Sequence, residues 1–153
     1  RYETSNFALP GHECRHNLAY WRGDDWMAAG PSASAHIGGH RWKNTPRLGT
    51  YLAAAGPVPV IDHETPDARR ALAERAMTGL RLAEGLDAAA FLTSCRAIDP
   101  GLPGMVSDHI EQLRTEGMLR QRSTHRPERW VLTDAGHLLA DGLAADLMAI
   151  VDP

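Results

Sequence analysis

From residue 66 onward apolar side chains recur with the period of a helix, whereas before residue 49 they do not. Thr65, Pro66 and Asp67 supply a hydroxyl cap, a proline at the first helical position and an acid in the first turn. Leu72, Ala76, Leu80 and Ala83 follow as one stripe that closes before Gly85, so the spacing predicts a helix. Asp87 is placed to cap a second helix through residue 95. Val106, Ile110 and Leu113 mark a third over about 105–116, which Gly117 ends. Residues 118–121 and 129–132 read as two strands around a polar turn at 124–127, and Thr133 caps a closing helix with Leu139, Leu143, Leu147 and Ile150 turned inward. Helices, a two-stranded wing and a closing helix describe a winged-helix-like module over 66–153.

The first fifty residues follow another pattern. They hold three of the four tryptophans and four of the eight histidines, with little helical periodicity. Residues 2–7 mix aromatic and hydroxyl side chains and stop at Pro10-Gly11, which reads as a short strand entering a turn; a second extended stretch surrounds 26–29 and ends at Gly30-Pro31. Gly56-Pro57 and Pro59 make 51–65 a linker. No internal repeat or low-complexity segment is present.

Composition narrows the function classes. The 153 residues are 43% hydrophobic, enough for a packed core, and no apolar run approaches the roughly 20 residues of a membrane-spanning helix. The chain begins at Arg1 with no charged-then-apolar leader, so the amino terminus is expected to be a cut and no signal peptide is visible. Residues 1–50 carry six basic and four acidic side chains and the remainder ten and fifteen, without the basic excess that nucleic-acid binding needs. The helix at 105–116 presents Asp108, Glu111 and Glu116 against only Arg114 and His109. Arg120, Arg122, Arg126 and Arg129 form a small basic patch in the wing, best read as a solvated hairpin edge. Cys14 and Cys95, with no secretory signal, suit a reducing cytoplasm rather than a disulfide framework.

Several short motifs occur in order: Tyr2-Glu3-Thr4-Ser5-Asn6, Pro10-Gly11, His16-Asn17-Leu18-Ala19-Tyr20-Trp21, and Gly30-Pro31-Ser32-Ala33-Ser34. Together they resemble the HemW branch of the radical S-adenosylmethionine coproporphyrinogen III oxidase-like family. The run from Glu74 through Gly79-Leu80-Arg81 to Gly85 resembles that family's HemN carboxy-terminal domain, and Arg129-Trp130-Val131-Leu132-Thr133-Asp134-Ala135-Gly136 its wing and last helix. The resemblance implies an α/β part followed by a mostly α part. Residues 1–50 would be the last strands of a partial, TIM-like radical-SAM barrel with a haem-associated loop, 51–65 a linker, and 66–153 the helical, winged-helix-like domain. It also implies a 4Fe-4S cluster and S-adenosylmethionine in the full-length parent. No Cys-x3-Cys-x2-Cys spacing occurs here, so this piece alone is not expected to do radical chemistry.

A haem site needs an axial donor, flat apolar surface and cations for the propionates. His16, Tyr20 and Trp21 with Arg15 and Arg22 supply each type within eight residues, and Asn17 is placed to orient the imidazole. The family resemblance connects this motif with haem and makes His16 a candidate iron ligand. The structural alternative is that His16 and Asn17 bond the loop backbone while Tyr20 and Trp21 cap the open end of the barrel. His12-x-Cys14-x-His16 would share one face of a strand, but zinc would need a fourth ligand, and Cys14 reads either as an alternative iron donor or as a partly buried thiol. By resemblance Gly30, Ser32 and Ala33 lie near S-adenosylmethionine, their amides open to a carboxylate or ribose; an ordinary tight turn is the alternative. Glu3 and Asn6 fall on opposite sides of a strand by parity, and neither is read as catalytic.

The reading that gathers most of these signals is a haem chaperone delivering haem to an acceptor protein, with a homodimer left open. An oxygen-independent coproporphyrinogen III oxidase is the alternative, and the His16-Asn17-x-x-Tyr20-Trp21 stretch belongs to the chaperone branch. A winged-helix interaction module would rest on the wing arginines alone.

Overall fold

The helical period beyond residue 66 is realised as α3 (Ala68–Arg81), α4 (Ala88–Ile98) and α5 (Leu102–Thr115), but α3 starts at Ala68, so Pro66 and Asp67 precede its first turn rather than lying in it. The computed structural model describes residues 1–122 and 128–153; the polar turn expected at 124–127, with Arg126, lies outside the described residues. The chain is a mixed α/β molecule with seven helices and two small sheets among the described residues. By internal contacts it forms two units, one of Arg1–Arg22 with Ala68–Pro153 and one of Gly23–Asp67.

In the first unit Leu72, Ala76 and Leu80 of α3 pack with Phe91 and Cys95 of α4 and with Val106, Ile110 and Leu113 of α5. Each large side chain removed from water there contributes about 1.5–3 kcal/mol. The Asp87 carboxylate accepts from Ala90 N at 2.9 Å, the expected cap. The hairpin is β5 (Leu119–Arg122) against β6 (Arg129–Leu132), and β6 also pairs with the short β4 (Leu86–Asp87), giving the order β4-β6-β5. Two wing arginines are not simply solvated. Arg129 Nη1 donates to Gly85 O at 2.8 Å and Arg122 Nη2 to Glu84 O at 3.4 Å, so they satisfy carbonyls of the turn after α3. Gly85 holds φ +77 with the Trp130 carbonyl against its Cα, a position closed to any side chain.

The closing helix differs from expectation. It is split into α6 (Asp134–Leu138) and α7 (Ala140–Val151), with the chain opening at Leu139 (φ −114°, ψ 15°). Leu139 is 54% exposed and Ile150 only partly buried, while Ala140, Leu143, Ala144, Leu147 and Val151 face the core. Two of the five positions in that stripe are alanine, so Leu143 and Leu147 point inward as expected while Ala140 rather than Leu139 opens the buried face. Thr133 Oγ1 accepts from Gly136 N at 3.1 Å, the expected cap, and donates to Gly117 O at 2.7 Å.

Residues 2–7 form no regular strand. Glu3 makes single bridges with Asn6 and with Leu82, so the segment is a tight turn stitched to the end of α3 by Thr4 N to Arg81 O and Ala83 N to Tyr2 O, both 3.0 Å. The parity argument for Glu3 and Asn6 fails for that reason: in the turn the two side chains converge. The segment 15–22 is likewise not loop but helix, α1 (Arg15–Arg22).

The second unit is an antiparallel sheet of β1 (Ser34–Ile37), β2 (His40–Asn44) and β3 (Val60–Glu64), in that order, with the short α2 (Leu48–Leu52) between β2 and β3. Residues 26–29 contribute only the bridge of Trp26 to His36. The stretch expected as linker thus contains β3, which alternation did not reveal because every one of its residues is exposed. The β2–β3 register shifts between Arg41 and Lys43, where Asp62 takes φ +53. Among the described residues no helix is long and apolar enough to cross a membrane.

Candidate functional site

Helical spacing sorts the four residues of the His-Asn-x-x-Tyr-Trp stretch into two pairs, because positions four apart share a face. His16 and Tyr20 form the exposed pair on α1, their rings edge-to-face with centroids 4.8 Å apart and planes at 83°. Asn17 and Trp21 form the inner pair, both partly buried. Asn17 Oδ1 and Trp21 Nε1 are buried and find no hydrogen-bond partner among the described residues. The Asn17 oxygen therefore does not hold the His16 ring, and each such atom costs about 1–3 kcal/mol while unpaired.

The inner pair meets Arg81, at the last turn of α3. Its guanidinium carbon lies 4.9 Å from the Trp21 ring centroid, a cation–π contact. Arg81 Nε donates to Glu3 Oε1 at 2.9 Å, Nη2 to Ser5 Oγ at 3.3 Å, and Nη1 pairs with Asp141 of α7. Glu3 is fully buried. Burial raises its pKa, but Asn6 Nδ2 at 2.6 Å, the Ser5 amide at 2.9 Å and Arg81 together outweigh this and hold the carboxyl below its ordinary value. Next to Trp21, Arg22 makes a two-pronged contact with Glu84, Nε to Oε1 and Nη2 to Oε2, both 3.1 Å. The carboxy-terminal end of α1 is thus clamped twice to the end of α3, while His16 projects from its other end. Arg22, expected as a propionate cation, is engaged with Glu84; Arg15 stands exposed beside His16.

Three motifs separated in the chain, Glu3-x-Ser5-Asn6, Trp21 and Gly79-Leu80-Arg81, converge on this one guanidinium. Arg81 stands within the Gly79-Leu80-Arg81 run, whose local pattern gives it no role. The available signal was a cation directly after the buried Leu80, where a helix that simply faced solvent would need none. Thr4 Oγ1 also lies 3.1 Å from His137 Nδ1, and burial followed by the Arg1 charge keeps that imidazole below its usual pKa.

Gly30, Ser32 and Ala33 belong to the second unit. Gly30 (φ +101) donates its amide to Tyr51 Oη at 3.0 Å, Ser32 N reaches Thr45 O at 3.4 Å, and Ala33 N reaches Gly30 O at 3.4 Å. The amides are engaged within the unit, so the exposed Ser32, itself at φ +61, offers its hydroxyl. Cys14 is exposed rather than partly buried, and Arg15 onward is helix, so His12, Cys14 and His16 do not share a strand face. Among the described residues no three side chains of metal-binding type gather.

These donors suit haem better than a cluster. An exposed imidazole with an aromatic ring against it and the exposed Arg15 beside it matches the donor chemistry of a haem edge. An iron-sulfur cluster does not fit: Cys14 is exposed and Cys95 lies in the core, and no third thiolate exists. No family model and no solved structure matches the chain. Curated relatives do. The chain is 35% identical over 149 residues, 96% of its length, to the "Heme chaperone HemW" of Mycobacterium tuberculosis, covering 34% of that protein. It is 28% identical to the Escherichia coli protein of the same name, covering 94% of this chain and 36% of the relative. With that of Lactococcus lactis it shares 36% identity over 56% of this chain and 22% of the relative. The chain spans about a third of the length of the first two. Similarity of this extent in several bacteria shows that the chain belongs to the HemW family.

Proposed function

We propose that this chain is the haem-presenting part of a haem chaperone that passes haem to an acceptor protein, with His16 as axial ligand. The observation that carries the reading is the geometry of α1, an exposed His16–Tyr20 pair on a helix clamped at its other end. An axial ligand must reach the iron and also release it to an acceptor, and a side chain on the open end of a short helix does both. Tyr20 supplies aromatic surface at the ring edge. Arg15, exposed beside His16, supplies a cation for a propionate, while Asn17 and Trp21 anchor the helix from its inner face. Haem, when bound, supplies the open coordination position that the acceptor's own ligand takes over.

In the whole protein the missing donors for a 4Fe-4S cluster would come from other parts of the chain. Gly30, Ser32 and Ala33 would face S-adenosylmethionine through the Ser32 hydroxyl. The family resemblance supports reading 1–50 as the end of a partial barrel and 51–65 as a connection; β1, β2 and β3 themselves pair antiparallel. What supports a winged-helix-like reading of 66–153 is the order α3, β4, α4, α5 and a hairpin whose β6 pairs with β4. A cytoplasmic location and a homodimer complete the proposal.

The test is transfer. The chain loaded with haem is mixed with an apo-haemoprotein, and the acceptor's absorbance is followed. Transfer that is faster than from free haemin is expected. Anaerobic turnover of coproporphyrinogen III by the whole protein, with no transfer, would favour the oxidase instead.

A further inference from the structure

Outside the α1 site, the second unit holds three histidines that the haem reading does not use, and two of them, His40 and His63, face each other. His40 opens β2 and His63 lies in β3, and their Nδ1 and Nε2 atoms are 3.2 Å apart, with ring centroids at 5.4 Å and planes within 2° of parallel. The placement follows from the sheet. Arg41 pairs with Glu64, so His40 and His63 are diagonal neighbours on one face, within reach of long side chains. The register shift with its left-handed Asp62 twists β3 just before His63.

We infer that His40 and His63 form a two-imidazole site for a borderline divalent transition ion, of which Zn2+, Ni2+ and Cu2+ are the chemical class. Two nitrogens bound at about 2.0–2.1 Å with a tetrahedral angle stand about 3.3 Å apart, close to the separation already present. With the rings parallel and two nitrogens facing, a modest swing of the exposed His63 ring and the half-buried His40 ring turns both lone pairs onto one ion. Both rings stay neutral and the one that donates in the apo pair carries its proton on its other nitrogen, so each presents a lone pair to the ion. Imidazole selects these ions over Mg2+ and Ca2+, which require oxygen donors. The neighbouring carboxylates are directed elsewhere, Glu64 toward Arg41 at 3.8 Å and Asp62 toward Lys43 at 3.5 Å. No third metal-binding side chain joins the pair among the described residues. The ion's remaining positions are therefore left to water or to an incoming ligand.

The experiment titrates the full chain with Zn2+ or Ni2+ by calorimetry, alongside His40→Ala, His63→Ala and, as a control for the other histidine-rich segment, His16→Ala. One ion per chain is expected. Either sheet variant should bind on the order of a hundredfold more weakly, because a chelate is reduced to a single donor, while His16→Ala leaves this binding in place. In the unsubstituted chain the His40 and His63 imidazole resonances should move together as Zn2+ is added, a readout independent of how the variants fold. Resonances that stay still, or affinity that is lost with His16 instead, would overturn the assignment.

Discussion

A single guanidinium decides how the turn at residues 2–6 and the helix α1 are held. Removing one partner of a buried pair leaves the other charge uncompensated, so Glu3→Gln should destabilise the first unit by about 3 kcal/mol, read from urea unfolding. A change below about 0.5 kcal/mol would mean that Arg81 does not depend on Glu3. The same contacts give a pH dependence. The folded Glu3 pKa lies below the ordinary 4.5, so its contribution is present above that value and lost as pH falls through the lowered one. The folded His137 pKa also lies below its ordinary 6.5. There the unfolded chain takes up the proton first, so stability should already decline as pH drops below 6.5. Unfolding followed from pH 8 to pH 3 should therefore show two successive losses, the first absent in His137→Gln. The residue scale was the least legible in the sequence. Glu3 and Arg81 are 78 positions apart, and nothing in their local patterns links them.

Elements were more readable where periodicity met a cap. Asp87 and Thr133 were placed correctly because an N-cap is a local device, one side chain bonding an amide three residues on. α1 was missed because it is short and buries no residue, so no apolar stripe announces it. The split between α6 and α7 at Leu139 has no such local marker; within α6, Gly136 lies against the Met118 carbonyl. A Cβ there would overlap that oxygen, and backbone cannot yield as a side-chain tip can. Gly136→Ala should lower the melting temperature by about 4–12 °C, equivalent to roughly 2–3 kcal/mol in a chain of this size. Gly142→Ala, in open space on α7, should be neutral or slightly stabilising. At the same scale, Arg81→Lys keeps the charge but cannot reach Trp21, Glu3, Ser5 and Asp141 at once as the guanidinium does. Hydrogen exchange should then quicken in α1 before α4 or α5; unchanged protection of α1 would contradict the clamp.

For the whole molecule the motifs outran the pattern analysis. Hydrophobic periodicity indicated helices and a hairpin, and said nothing of haem, whereas six residues from His16 to Trp21 pointed to the HemW family. The structure adds how those six are divided, with Trp21 facing Arg81 and His16 with Tyr20 facing out. Family similarity covers nearly the whole chain, while the chain covers about a third of its relatives. The haem-presenting α1 is therefore the part of the proposed function this chain can test by itself. The most direct measurement is the absorption spectrum of haem titrated into the chain and into His16→Ala. The account predicts that the substitution shifts the Soret band and weakens binding, with Arg81→Lys weakening binding at an unchanged band position. A Soret band and affinity identical in His16→Ala and the unsubstituted chain would contradict it.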